Sequence, residues 1–338
     1  RRRGHHGAQL MRGAAVPGDR FRLVGRWVLL LVGALIAAGL VAYMYAYGPR
    51  AQVASPTAGE DATSFDTAAL DRETVHIGWT AWADAELVTA MVERLLEEHF
   101  GLSVEPMMAD VGIQYQAVAR GDLDAMLMAW LPVTHRDYWE RVGGDVVNLG
   151  PLYTGRLGWV VPDYVPEDVL GSIEDLQDPE VARRVGSRIQ GIDPGSGLMQ
   201  ASEQAFRDYD LGHIELVPAS GAAMTAVLDR AIRREEWIVV TGWQPHWKFA
   251  SYDLRFLEDP RGSLGGRERV NAIVRRGFEK DFPVEVTSFL SRLELPEEDV
   301  AELLLRAQET EVEQAVAEYL DAHPARVNYW LTGRFDEG

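Results

Sequence analysis

The sequence predicts an α/β protein of two lobes, preceded by one N-terminal transmembrane helix. Three observations lead there. From Val75 to Tyr252, short apolar runs alternate with stretches of helical period, the pattern of parallel strands covered by helices. The chain has 338 residues, more than a single core of about 100–200 residues usually takes. Residues 27–47 carry no charged side chain, and at about 1.5 Å per residue a helix of that length crosses a hydrocarbon core of about 30 Å.

Residues 1–26 form a basic segment. Arg20, Arg22 and Arg26 precede the apolar run, with Trp27 and the tyrosines at its two ends, as interfacial aromatics would sit. The positive-inside rule puts this segment in the cytoplasm and everything beyond Arg50 outside, anchored in the membrane. A cleaved signal peptide is the alternative. Against it, the apolar run exceeds the usual length of about 7–15 residues and no clean A-x-A site follows. Residues 48–72, rich in Ala, Ser, Thr, Pro and Asp, read as a linker.

The globular part opens with a strand at Val75–Trp79. Leu87, Met91, Leu95 and Leu96 give the following stretch, Glu86–His99, a helical period, and Asp84 is placed to cap it. Val104–Met108 is a second strand, and Pro106 marks it as an edge or a bulge. A helix at Ile113–Arg120 is closed by Gly121. Asp122–Trp130 is a third strand, and His135 caps a short helix to Arg141. Val146–Leu149 and Leu157–Val161 read as separate strands with Tyr153 between them. Ser172 and Asp175 form a capping-box pattern that starts a helix. Ile189–Ile192 is a strand leading into the small residues Gly195–Gly197, which open helix Leu198–Tyr209 and expose backbone N–H groups there. A strand at Ile214–Val217 and a helix at Met224–Arg234 follow. Trp237–Val240 reads as a buried strand, and Pro245 makes Thr241–Trp247 a loop. Residues 253–260 return extended to a strand at Val270–Arg275. Helices at Phe282–Ser291, Glu297–Glu309 and Val312–Ala322 and a tail past Pro324 complete the chain.

Charge and composition remove several function classes. Beyond residue 50 the chain holds 25 basic and 51 acidic residues, which disfavours nucleic acid, whose phosphates need Lys and Arg. The sequence has no cysteine, so disulfides, thiolate metal sites and Cys nucleophiles are excluded. HExxH, GxSxG and P-loop patterns are missing, so neither an enzyme, a metal nor a cofactor is expected.

Trp82, Trp130 and Trp243 each stand just past or at the end of an apolar run, where open α/β sheets place ligands. A quaternary ammonium has no N–H to donate, and aromatic faces hold it through cation–π attraction. Six motifs occur in order: G-x-x-x-W-x-D (Gly78, Trp82, Asp84), G-D-L-D-A (Gly121–Ala125), W-L-P-x-T-H (Trp130–His135), G-I-D-P-G-S-G (Gly191–Gly197), S-G-A-A-M-T (Ser220–Thr225) and T-G-W-Q-P-H-W (Thr241–Trp247). Together they resemble the glycine betaine/choline-type substrate-binding proteins of ABC importers over about residues 73–335. The resemblance implies a two-lobed periplasmic-binding-protein fold (type II-like) with a hinge, lobe 1 being 73–157 with 262–338 and lobe 2 being 158–261. It also implies an extracytoplasmic (periplasmic) protein that hands its ligand to an ABC permease. Trp82, Trp130 and Trp243 would form the cage, and amides near Asp84 and Ala85 would take a ligand carboxylate, with His246 as a second partner. Leu293 and Leu295 stand where a further aromatic is sought, so Tyr153 or Trp159 would complete the cage. In choline binders an acid faces the ammonium, and Asp84 fits that alternative; carnitine, proline betaine and a ligand-sensing ectodomain are further alternatives.

Overall fold

The computed structural model describes residues 73–334. The basic segment 1–26, the apolar run 27–47 and the linker 48–72 lie outside the described residues, among which no helix is long and apolar enough to cross a membrane.

The fold is α/β, built on one nine-stranded sheet in the order β2-β1-β3-β9-β4-β7-β5-β6, with β8 beside β4. The first half begins with β1 (Thr74–Trp79), α1 (Ala83–Phe100), β2 (Ser103–Met108) and α2 (Val111–Arg120), followed by β3 (Ala125–Leu131) and α3 (Arg136–Val142). Helix α1 forms because Leu87, Val88, Met91, Val92, Leu95 and Leu96 fall on one buried stripe. It stops at Gly101, whose φ of 63° lets its N–H turn back to the Leu96 carbonyl. Strand β2 is an edge, as Pro106 requires, while β3 is buried on both faces.

Strand β4 (Val146–Pro162) is a single 17-residue strand rather than two. It pairs antiparallel with β9 (Arg267–Arg275) along its first part and with β7 (Val239–Gln244) and β8 (Leu254–Phe256) along its second. Gly150, Pro151 and Gly155 interrupt the apolar pattern, but the ladder to β9 carries the strand past them through two register shifts. The sheet is therefore mixed, not parallel throughout.

The second half adds a 3₁₀ turn at Ile173–Gln177, where the expected capping box of Ser172 and Asp175 forms without starting an α-helix. Next come α4 (Pro179–Arg184), β5 (Arg188–Gln190), α5 (Gly197–Asp208), β6 (Glu215–Val217), α6 (Gly221–Arg233) and α7 (Lys248–Ser251). Thr241–Gln244 belongs to β7 and not to a loop, because Leu157 and Arg156 of β4 pair with Trp243 and Gln244; only Pro245 breaks the ladder. After β9 come α8 (Phe278–Asp281), α9 (Val284–Arg292), α10 (Glu297–Glu309), α11 (Val312–Ala322) and α12 (Pro324–Thr332), which makes the tail helical.

Two apolar cores result. The larger gathers α1, β1, β3, β9 and the C-terminal helices. The smaller is drawn only from residues 159–264, with Trp159, Leu170, Ile189, Tyr209 and Val239 among its members.

Candidate functional site

Ten residues line a cavity at the carboxyl ends of the parallel strands. Trp130 is the penultimate residue of β3 and Trp243 the penultimate residue of β7; Trp82 follows β1 by three residues. All three are buried and all three line the cavity, with Thr134, His135, Leu157, Ile192, Ser196, Gly197 and Leu198.

Each indole is held at its rim. Trp82 Nε1 donates to Asp193 Oδ2 at 3.0 Å. Trp243 Nε1 donates to Asp84 Oδ1 at 3.0 Å, and Tyr153 Oη donates to Asp84 Oδ2 at 2.7 Å. Trp130 sets its edge against Tyr153, 6.3 Å between centroids. Gly155 is what lets Trp130 lie there: a Cβ on it would stand 2.5 Å from both Trp130 Cη2 and the Gln244 carbonyl.

The other wall is polar. Ser196 caps α5, its Oγ accepting from the Met199 N–H at 3.2 Å. The N–H groups of Gly197 and Leu198, in the first turn, have no carbonyl one turn back to donate to, and their residues face the cavity. His135 adds a donor. Its Nδ1 accepts from the Trp130 N–H at 3.2 Å and lies 3.2 Å from Tyr115 Oη. With Nδ1 an acceptor, the ring proton sits on Nε2. Burial holds the imidazole pKa down to about 3, so the ring stays neutral. Thr134 is pinned beside it by the buried Glu268, whose carboxylate accepts from the Val133 and Thr134 N–H groups at 2.9 to 3.1 Å. The cavity is thus lined by three indoles together with Thr134, His135, the first turn of α5 and the apolar Leu157 and Ile192, with no ionised side chain among these residues.

The expected site residues divide. Trp82, Trp130 and Trp243 meet round the cavity. Asp84, which accepts from Trp243, and Tyr153, which donates to Asp84, are not among the lining residues. Asp84 sits inside the first turn of α1; Trp82 occupies the N-cap position, so the expected Asp84 cap is not made. Burial raises the Asp84 pKa, opposed by the bonds from Tyr153 and Trp243. Ala85 is buried in the same turn, away from the lining. His246 stacks edgewise on Trp243 at 4.8 Å and borders a separate surface groove with Phe249, Glu297 and Glu298. Its Nδ1 accepts from the Lys248 N–H at 3.1 Å, and burial pushes its pKa well below the usual imidazole range. Trp159 is in the smaller core, donating to Ser202 Oγ at 3.0 Å.

His135, Thr134 and Ser196–Leu198 were not singled out from the sequence as site residues. Two signals pointed at them: the imidazole five residues after Trp130, and the run of small residues opening α5.

Comparison with known proteins follows the same geometry. The family model described as the substrate-binding domain of ABC-type glycine betaine transport systems matches residues 73–322. The glycine betaine/carnitine transport binding protein GbuC of Listeria monocytogenes is 35% identical over 157 residues, 46% of this chain and 52% of that protein; the match spans about half the length of that curated relative. Lactococcal OpuAC, solved closed with glycine betaine, is 35% identical with a TM-score of 0.72, over 78% of this chain and 100% of that one. The glycine betaine/L-proline-binding protein ProX of Borrelia burgdorferi is 30% identical with a TM-score of 0.71, over 76% and 96%. A choline-binding protein of an ABC transporter, solved with choline, is 22% identical with a TM-score of 0.70, over 78% and 93%, and shares the fold.

Proposed function

The chain belongs to the family of substrate-binding domains of ABC-type glycine betaine transport systems, and from that premise we propose that it captures glycine betaine, or a closely related quaternary ammonium zwitterion, and delivers it to an ABC permease. The observation that carries the choice of ligand is the polarity of the cavity. Three indoles offer π faces to a trimethylammonium group, each worth about 0.5–2 kcal/mol once desolvated. Opposite them, the α5 N-terminus and His135 offer N–H donors to a carboxylate. A ligand with both charges satisfies both walls. Choline has no carboxylate to use the second wall, and Asp84, the acid that could serve it, is already accepting from Tyr153 and Trp243.

The site assignment follows: Trp82, Trp130 and Trp243 as the cage, Gly197, Leu198 and His135 as carboxylate donors, and Asp84, Tyr153 and His246 as residues that hold Trp243 in place. The protein acts by binding alone. Ser196 Oγ is occupied as a helix cap and His135 Nδ1 by a backbone N–H, so the two do not form a nucleophile and base. The lobe division at 158–261 is supported by the smaller core, drawn from residues 159–264 only. Residues 27–47 would tether the binding domain outside the cytoplasm, at the membrane where its permease lies.

Calorimetric titration of the full-length chain with glycine betaine and with choline at fixed salt tests the reading. Betaine binding at least about tenfold tighter than choline is expected, from the charged hydrogen bonds choline cannot make. Equal or tighter choline binding would overturn the carboxylate wall.

A further inference from the structure

Of the 33 basic residues in the chain, 31 are arginine; Lys248 and Lys280 are the two lysines. Lys280 is exposed, whereas Lys248 is 0% exposed. Its Nζ lies 4.2 Å from the centroid of the Trp243 ring and 5.3 Å from that of Phe249. Among the described residues this nitrogen has no hydrogen-bond partner. Lys248 is not one of the residues lining the cavity, whereas the Trp243 ring it covers is. An ammonium with three N–H donors unmatched by protein groups in so buried a place is far costlier than a neutral amine. Lysine can shed its proton to meet that demand and arginine cannot. A chain that uses arginine almost everywhere else has lysine at this point.

We propose that Lys248 is a positioning residue that sets how strongly Trp243 holds a ligand cation: uncharged, it packs under the indole, and once protonated from solvent it competes for the same π electrons and repels the cation across the ring. The proposal rests on Trp243 belonging to the cage. The expected consequence is binding that weakens in acid. Burial lowers the Lys248 pKa well below the usual ammonium range, with Asp84 pulling the other way. The remaining groups around it are accounted for. Asp84 on α1 accepts from both Tyr153 on β4 and Trp243. His246 is kept neutral by burial. On α10, Glu297 and Glu298 border the outer groove with Arg267, and Tyr252 is engaged with Asp229.

The small number of lysines makes the test direct. In the full-length chain labelled with ¹³C,¹⁵N-lysine, the Lys248→Met variant assigns the Lys248 side-chain signal. That signal is expected to titrate well below the usual ammonium range, as burial requires. Calorimetry with glycine betaine, repeated down the pH scale, should then show affinity falling by about tenfold through the Lys248 midpoint, the size of one desolvated ring contact. Lys248→Met, which keeps the packing and loses the proton, should bind with nearly constant affinity over that range. A Lys248 signal that titrates in the usual ammonium range overturns the proposal, as does a Lys248→Met profile that retains the pH dependence of the parent. Betaine binding that is measurable but flat with pH overturns this proposal alone. No binding at any pH overturns the ligand assignment and this proposal with it.

Discussion

His135 shows how one hydrogen bond decides a side chain's role. The Trp130 N–H occupies Nδ1, so the ring presents a donor and not an acceptor, and burial keeps it from becoming a cation. His135→Gln should weaken glycine betaine binding by about 10- to 100-fold, the range of a hydrogen bond to a charged group, and leave choline affinity within about threefold; calorimetry with the two ligands checks this. The same residue predicts acid sensitivity of the fold. Its folded pKa lies below the unfolded value of 6.5. The stabilisation from burying it neutral is therefore complete above that value and is lost as pH falls toward about 3. In urea denaturation across this window, the pH slope of the parent should exceed that of His135→Gln by up to about one proton. The tryptophans could be read from the sequence because large aromatics ending apolar runs are conspicuous. The donors opposite them could not, since an imidazole's tautomer depends on a backbone group that folding brings to it.

Among the elements, α5 carries the most functional consequence per residue. Ser196 fixes where it starts, and its first-turn residues Gly197 and Leu198 line the cavity. Ser196→Ala should lower stability by about 1 kcal/mol in urea denaturation and weaken betaine binding by several-fold, because the first turn frays at the proposed carboxylate site. Helices with a clean apolar stripe were legible to the residue: Glu297–Glu309 and Val312–Ala322 are observed as expected. Strand β4 was not, because Gly150, Pro151 and Gly155 break its pattern locally while its ladder to β9, more than a hundred residues away in sequence, holds it straight. Strand β7 ran past its expected end for the same reason. Strand extent depends on the partner, whereas helix extent is written in the segment itself.

For the whole molecule, the question is what touches across the cavity. A Cβ on Gly197 would stand 2.2 Å from the Thr134 carbonyl and 2.8 Å from His135 Cδ2. Trp82 and Asp193 meet over the same opening, and Tyr138 bonds to the Gly195 carbonyl beside it. If the two lobes close on the ligand, small-angle scattering should show the radius of gyration shrinking on betaine addition. Gly197→Ala should reduce that shrinkage and cost more than about tenfold in affinity, since the added methyl must push backbone apart. An unchanged scattering curve with tight binding in the parent would refute closure. The sequence by itself determined the α/β class, the helices Glu297–Glu309 and Val312–Ala322 and the three indoles, because alternation, amphipathic spacing and residue size are local properties. Only the tertiary structure decided that Asp84 joins Tyr153 to Trp243, that His135 and the first turn of α5 line the cavity with the indoles, and that Lys248 covers one of them. Those relations join residues as far apart as Asp84 and Trp243, and which atom meets which across such a separation is settled by packing alone.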